Sequence, residues 1–431
     1  MVRLIYNLLW PFGLVFFLPG YLVKMFRRGG YREKFGQRLG IYDGVVRVKL
    51  ASQRSTWMHA VSVGEVAIAL KLARQLRQLE PDIVIVLTTT TTTGFSFARQ
   101  NAPPWCEVMY MPLDFWPIMR RAFAVIRPVR IVLVEAEVWP NLVARARHQA
   151  VPLALVNARL SPRSESRFLR FRHFLGPIFA RLNLIGVPEK EDAARWMALG
   201  ANPAVIHYTG SIKYDPVDLG NGTRATSQVF PANAPVLFGG STHRGEEEIL
   251  ARSFLELRRS WPSLCLFIAP RHVERAREIR KRLQSLGLTV RLVSEGAPQE
   301  SPDCVVLDKT GELQAWYPVA TVAFVGKSLT AHGGQNPAEP IVAGVPVVFG
   351  PHMENFASLA GELVNQKAAV QVANAEEFER TLQNLLGDAE ARRRLVTNAG
   401  QVLSGHRGAT ERTARLIVGL PQGKLPASQL E

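Results

Sequence analysis

Two short stretches carry carboxylates where an open α/β sheet would hold its ligands. In Trp57-Met58-His59-Ala60-Val61-Ser62-Val63-Gly64-Glu65 an apolar run ends in a loop, and Glu65 falls where the next helix begins. Open parallel sheets bind ligands beyond the carboxyl ends of their strands. A general base at Glu65 would meet an arriving hydroxyl there, and Gly64 would let the substrate come close to the backbone. The same residues also spell a capping box, with Ser62 accepting from a helix amide and Glu65 reaching back to the serine N–H. The pattern leaves both open. Glu135-Ala136-Glu137 follows a second apolar run. Carboxylates at i and i+2 on a strand share a face, and like charges that close are unfavourable unless paired or used. Glu135 and Glu137 are therefore candidate catalytic groups. The alternative is that one caps the helix opening at Asn141 and the other is solvated.

Later in the chain, small and polar residues gather at comparable places. Gly239-Gly240-Ser241-Thr242-His243-Arg244-Gly245-Glu246 opens a helix, and its small residues let backbone amides approach a phosphate or ribose. It matches neither the dinucleotide fingerprint nor the P-loop. Pro270-Arg271-His272 ends another apolar run, where an arginine can grip a phosphate bidentately. In Gly333-Gly334-Gln335-Asn336-Pro337-Ala338-Glu339, Asn336 suits the N-cap and Pro337 the first helical position. Glu339 then lies in the first turn, able to accept from a ribose diol. In residues 161–179, Arg163, Arg167 and Arg170 fall on one helical face and Phe168, Phe171, Leu175 and Ile178 on another. That helix either meets anionic lipid or packs a core stripe beneath a solvated charged face.

The elements that must position these groups alternate. Strands are expected at 56–60, 83–88, 131–134, 153–156, 184–187 and 205–208, then at 236–239, 264–269, 290–293, 305–307, 322–325 and 346–349. Helices between them are clearest at 66–79 and 189–199. Near-continuous Val/Ile/Leu runs joined by helices mean parallel sheets buried on both faces. The run 88–93 reads as a strand end and loop, with Gly94 turning the chain. Asp215-Pro216, Gly220-Asn221-Gly222 and Pro231 fill a break with loop chemistry. The fold class is α/β, with two Rossmann-like parallel-sheet domains facing a cleft. The expected organisation is a membrane anchor at 1–28, a first domain at 29–215, a linker at 216–234 and a second domain at 235–431.

Residues 4–23 are almost wholly apolar, interrupted by Asn7. Twenty helical residues span ~30 Å, the hydrocarbon thickness. Lys24, Arg27, Arg28, Arg32, Lys34 and Arg38 follow, with Arg3 alone preceding, which places the downstream chain on the cytoplasmic side. The segment is a single span or a helix lying in the interface. The net charge is +16, which fits anionic membrane or acidic substrates. Nucleic acid is not expected, because zinc-ligand spacings and RNA-binding signatures are absent. Cys106, Cys265 and Cys304 are odd in number and far apart, which fits a reducing compartment. No metal site and no cofactor are expected.

Together these segments resemble the Kdo (3-deoxy-D-manno-octulosonic acid) transferases of lipopolysaccharide core biosynthesis. The likeness runs through Tyr31-Arg32-Glu33-Lys34-Phe35-Gly36, the His59–Glu65 motif, Glu135–Asn141, Asn157-Ala158-Arg159-Leu160-Ser161 and Thr209-Gly210-Ser211-Ile212-Lys213-Tyr214-Asp215. It continues through Gly240-Ser241-Thr242-His243, Pro270-Arg271-His272, Gly311-Glu312-Leu313, Gly333–Glu339 and Gly350-Pro351-His352. The resemblance implies a membrane-associated, inverting GT-B glycosyltransferase of the inner membrane, with CMP-Kdo as donor and the lipid A precursor lipid IVA as acceptor. Glu65 matches the family's general base. Pro270, Arg271, Thr310, Gly311, Glu312 and Asn336-Pro337-Ala338-Glu339 match its CMP-binding segments, to which Ser241, Thr242, Gly333 and Gly334 are added as donor contacts. Ser62, Gly64, Arg159, Arg163 and Arg167 are the expected acceptor contacts. Lys327 stands where the family usually carries a glycine before Ser328, Arg244 where an acidic residue is usual, and Glu189-Lys190-Glu191 replaces a more amide-rich segment. The competing readings are a GT-B lipid glycosyltransferase using a UDP-sugar, such as a lipid A disaccharide synthase, and a non-catalytic membrane-tethered protein that binds anionic lipid.

Overall fold

The computed structural model describes residues 6–8, 10, 34–160, 162–215, 229–231, 233–296 and 301–423. The chain divides into two compact units, Met1–Asp215 with Gly408–Glu431, and Pro216–Arg407.

The first unit is built on seven strands, β1 (Ser55–His59), β2 (Val84–Thr89), β3 (Cys106–Tyr110), β4 (Pro128–Val134), β5 (Leu153–Val156), β6 (Leu184–Val187) and β7 (Ile206–Tyr208). They form one parallel sheet in the order β3-β2-β1-β4-β5-β6-β7. Apolar clusters cover both faces, which is why β4 is buried at every position. Ile131, Val132, Leu133 and Val134 are each fully inaccessible, and burying side chains of this size contributes roughly 1.5–3 kcal/mol apiece. The chain runs outward from β1 to β3 and returns to place β4 on the other side of β1. That reversal is the switch point at which doubly wound sheets open a crevice.

The second unit repeats the plan with β8 (Val236–Thr242), β9 (Cys265–Pro270), β10 (Val290–Leu292), β11 (Cys304–Val306), β12 (Val322–Val325), β13 (Val347–Phe349) and β14 (Val370–Gln371). The order is β10-β11-β9-β8-β12-β13-β14, all parallel, and the switch point lies between β8 and β12.

Several expectations need correction. β3 and β14 escaped the sequence pattern: Glu107 interrupts the first, and the second is a two-residue edge. Gly94 does not turn the chain. It lies in the helix Thr92–Asn101, capped by Thr91, and a Cβ there would sit 2.7 Å from Thr89 Oγ1. The single helix expected over 161–179 is two, Pro162–Arg170 and Arg172–Phe179, broken at Phe171. The stretch from Gly408 belongs to the first unit, not to the second domain as drawn at 235–431. Its helix Ala409–Val418 lays Ala414 and Ile417 into the apolar cluster of Val66, Leu70 and Ala73. The Asp215 carboxylate anchors it, accepting from Gly408 N–H at 2.7 Å and Thr410 N–H at 2.8 Å.

Most of residues 4–23 lies outside the described residues. Among those described, no helix is long and apolar enough to cross a membrane. Asn7, the polar interruption of that segment, is held on the first unit. It exchanges amide hydrogen bonds with Asn141 at 2.9 and 3.0 Å and accepts from Trp116 N–H at 3.2 Å.

Candidate active site

The switch point of the first unit gathers three carboxyl groups. Glu65 stands in the first turn of the helix Val63–Leu79, directly after β1. Its Oε2 accepts from Val61 N–H at 2.8 Å, and its Oε1 accepts from the Ser62 hydroxyl at 2.8 Å. The capping arrangement is therefore real, with the reach-back bond made to Val61 rather than to Ser62. Glu65 is nevertheless half-exposed and is felt electrostatically by both Glu135 and Glu137.

Those two acids do not share a strand face. β4 ends at Val134, and Glu135 turns the chain at φ 64°, a left-handed conformation that costs a non-glycine residue of order 1 kcal/mol or more. Neither caps the helix Pro140–His148. Asp114 does, its carboxylate accepting from Asn141 N–H at 2.9 Å and Leu142 N–H at 2.8 Å. Burial, then the charge of Glu65, pushes the Glu135 and Glu137 carboxyls up to about 7 each. Lys213 and Arg159 partly oppose this at Glu135, and Trp139 and Arg167 at Glu137. Burial pushes the Lys213 ammonium down to about 8, against the pull of Glu135. Lys213 lies in a motif the sequence singled out without giving it a role, so only the fold reveals it as a partner of Glu135.

The expected acceptor contacts are unevenly placed. Ser62 is exposed, with its hydroxyl donated to Glu65. Gly64 is exposed, and a Cβ there would meet only Ser62 Oγ, at 4.0 Å. Nothing inside the protein demands glycine at 64. Arg159 belongs to the acidic group through Glu135, and Arg167 through Glu137. The Arg163 side chain lies outside the described residues. Beside Arg167, the helix break leaves Leu169, Phe171 and Phe174 exposed at 37, 49 and 49%. Phe171 is thus outside the core stripe, where Phe168, Leu175 and Ile178 remain.

The second unit presents its own polar loops. Ser241 bulges from β8 at φ 53°, and Lys327 follows β12 at φ 58°. The latter is a left-handed position that suits the glycine expected there. The amides of the Gly239–Glu246 loop are not all free for a ligand. Buried Glu246 accepts from His243 N–H and Lys327 N–H at 2.7 Å each, from Ser328 N–H at 3.0 Å and from Leu329 N–H at 3.1 Å. Thr242 is also buried, its hydroxyl turned to Glu247 at 3.2 Å. Arg271 is exposed just past buried Pro270. Glu339 opens the helix Ala338–Val342. Burial raises its carboxyl, while hydrogen bonds to Asn336 and Gln314 and the charge of Arg271 hold it down. Asn336 does not take the expected N-cap place: the helix begins one residue later, at Ala338, with Pro337 at the N-cap and no side-chain cap. Asn336 Oδ1 instead accepts from Ala338 N–H at 3.1 Å, and its amide donates to Glu339 at 3.2 Å. Pro337 and Ala338 are buried, Thr310 and Gly311 exposed, Glu312 half-exposed. Gly333 and Gly334 are buried with φ of 118° and 65°. Gln314 carried no sequence signal.

Comparison with known proteins gives the family. Residues 33–216 match the family model described as 3-Deoxy-D-manno-octulosonic-acid transferase (kdotransferase). The 3-deoxy-D-manno-octulosonic acid transferase of Haemophilus influenzae is 32% identical over 392 residues, covering 90% of this chain and 91% of the relative. That of Bordetella pertussis is 34% identical over 400 residues, covering 90% and 92%. The solved kitacinnamycin glycotransferase superposes with a TM-score of 0.51 at 16% identity, covering 85% of this chain and 99% of its own, a likeness of fold alone. With two parallel-sheet α/β units of the GT-B kind and relatives this similar over nine-tenths of its length, the chain belongs to the Kdo transferase family of glycosyltransferases.

Proposed function

We propose that the chain transfers Kdo from CMP-Kdo to lipid IVA with inversion, using the acidic group of the first unit on the acceptor and the polar loops of the second to hold the donor. The supporting observation is the convergence of Glu65, Glu135 and Glu137 on the carboxyl ends of β1 and β4, with two of the three carboxyls pushed up to about 7. Groups whose protonation is tuned by their surroundings mark acid–base sites. Glu65 takes the proton of an acceptor hydroxyl, exchanging its bond from Ser62 for one from the substrate. The acceptor oxygen bonds to the anomeric carbon of Kdo, and the bond from that carbon to the phosphate oxygen breaks on the opposite face. CMP leaves with the electron pair. Arg271 neutralises its phosphate, a fixed electrostatic support of the kind that dominates such barriers. Asn336 and Glu339 hold the ribose. Glu135 and Glu137, raised to about 7 and so about half protonated near neutrality, lessen the negative charge that the anionic donor faces.

Lipid IVA carries phosphates, and Arg159, Arg163 and Arg167 are the proposed groups to meet them. Exposed Leu169, Phe171 and Phe174 beside Arg167, Arg170 and Arg172 fit an anionic membrane surface. Asn7, held on the first unit, suits an N-terminal segment lying in the inner-membrane interface with both units on the cytoplasmic side.

Purified protein given CMP-Kdo and lipid IVA should yield a product heavier by whole Kdo residues in the mass spectrum. CMP should raise the melting temperature and UDP should not. Protection by UDP alone points to a UDP-sugar enzyme, and lipid binding without nucleotide protection to a non-catalytic protein.

A further inference from the structure

The sequence showed no metal spacing, yet the loop after β12 and the loop after β13 bring two imidazoles and a carboxylate together. Among the described residues, His332, His352 and Glu354 place one nitrogen or oxygen each within 4.8 Å of one another. His332 Nδ1 is 3.0 Å from Glu354 Oε1, and His352 Nδ1 is 3.5 Å from the same oxygen. The imidazole centroids are 3.9 Å apart. Ligands around a tetrahedral zinc, at about 2.0–2.1 Å from the metal, stand roughly 3.3 Å from one another. The group needs only small rotations to reach that spacing.

We propose that His332, His352 and Glu354 form a binding site for a divalent transition metal of the zinc class, with one coordination position left open. Two imidazole nitrogens and one carboxylate oxygen make up the donor set common to zinc sites that keep a fourth position for water or another ligand. Nitrogen donors select zinc, cobalt or nickel over magnesium and calcium.

The surroundings hold the ligands in place. Gly333 N–H donates to Glu354 Oε2 at 2.6 Å, an outer bond that orients the carboxylate and leaves Oε1 for the ion. Asn355 N–H donates to Gly333 carbonyl at 2.9 Å, and Gly334 N–H to Lys327 carbonyl at 2.9 Å. The loops approach so closely that a Cβ on Gly334 would fall 2.5 Å from Met353 Sδ and 3.0 Å from the His352 carbonyl oxygen. His332 is 78% exposed, leaving the ion an entry path. One feature opposes binding: Lys327 Nζ lies 3.4 Å from where a Cβ on Gly333 would stand. A nearby ammonium repels a dication, so micromolar rather than nanomolar affinity is expected. A bound ion would tie the segment running into Asn336 and Glu339 to the loop after β13. The alternative is a surface ion pair between protonated histidines and Glu354.

The untagged full chain, stripped with chelator and without donor or acceptor, is titrated with Co²⁺. Binding is followed by the visible absorption of tetrahedral cobalt, and Zn²⁺ and Mg²⁺ serve as competitors. The expected result is one saturable equivalent, displaced by Zn²⁺ and not by equal Mg²⁺, with the dissociation constant rising at least tenfold in both His332→Ala and Glu354→Gln. Both side chains are more than half exposed, so the variants keep the fold, checked by unchanged circular dichroism. Absence of saturable uptake, equal displacement by Mg²⁺, or unchanged affinity in both variants overturns the assignment. The readout needs no turnover and stands apart from the proposed transfer reaction.

Discussion

Glu65 and Glu246 occupy matching places in the two units, and they are used differently. Each follows the first strand at its sheet's switch point, opens the next helix, and turns its carboxylate back on the preceding loop. Glu246 is fully buried and satisfied by four backbone N–H groups, from the loop after β8 and the loop after β12. That carboxylate has no capacity left for a ligand. Glu65 accepts one backbone bond and one from an exposed, rotatable serine hydroxyl. It keeps solvent access, and two more carboxyls lie within its field. A helix-capping glutamate is therefore structural or chemical according to what else competes for its oxygens. Sequence pattern does not record that competition.

Glu246→Gln attacks the structural member. An amide opposes its NH₂ to backbone donors in a dry site, and each buried donor left unpaired costs about 1–3 kcal/mol. A loss of about 3 kcal/mol or more is expected in the second unit, measured by urea unfolding. A change under 1 kcal/mol would erase the contrast with Glu65.

Arg271→Ala removes a charge-assisted contact worth about 1.5–3 kcal/mol. CMP should bind roughly ten- to a hundredfold more weakly by calorimetry, with unfolding unchanged. Unaltered affinity rejects the phosphate role.

The acidic group should show itself in pH dependence. Glu135 and Glu137 have folded values raised to about 7, above the unfolded ~4.3. The native state then holds more protons than the unfolded state between those limits. Stability contributed by these groups falls as pH rises through that window and levels off above about 7. Glu137→Gln should flatten this slope in melting temperatures from pH 5 to 8. It should also move the limb of kcat/KM near 7, which belongs to the coupled group rather than to one residue. An unchanged slope removes Glu137 from the group.

Gly64→Ala is the smallest change. Alanine favours a helix over glycine by about 1 kcal/mol, and no protein atom crowds the position. Stability should hold or rise slightly, while KM for the lipid acceptor rises severalfold if the substrate lies against this backbone. Unchanged KM places the acceptor elsewhere.

The sheets were readable because parallel strands buried on both faces are written as continuous apolar runs. Leu153–Val156, Leu184–Val187 and Val322–Val325 fall where the pattern put them. Cys106–Tyr110 and Val370–Gln371 escaped because edge strands need less apolar character. The return of Ala409–Val418 to the first unit was invisible, since an amphipathic helix does not state which sheet it covers. At the site, Glu65 was legible down to its rival capping role. The turn at Glu135, the field of Lys213 and the meeting of His332 with Glu354 arise from loop geometry with no periodic signature.

The central claim is tested most directly by Glu65→Gln with CMP-Kdo and lipid IVA, reading product by mass spectrometry and CMP protection by thermal shift. The predicted result is a fall in kcat of about 10²–10⁴ with CMP protection and unfolding intact. Turnover within a few-fold of the parent would leave Glu65 only its capping role and contradict the account.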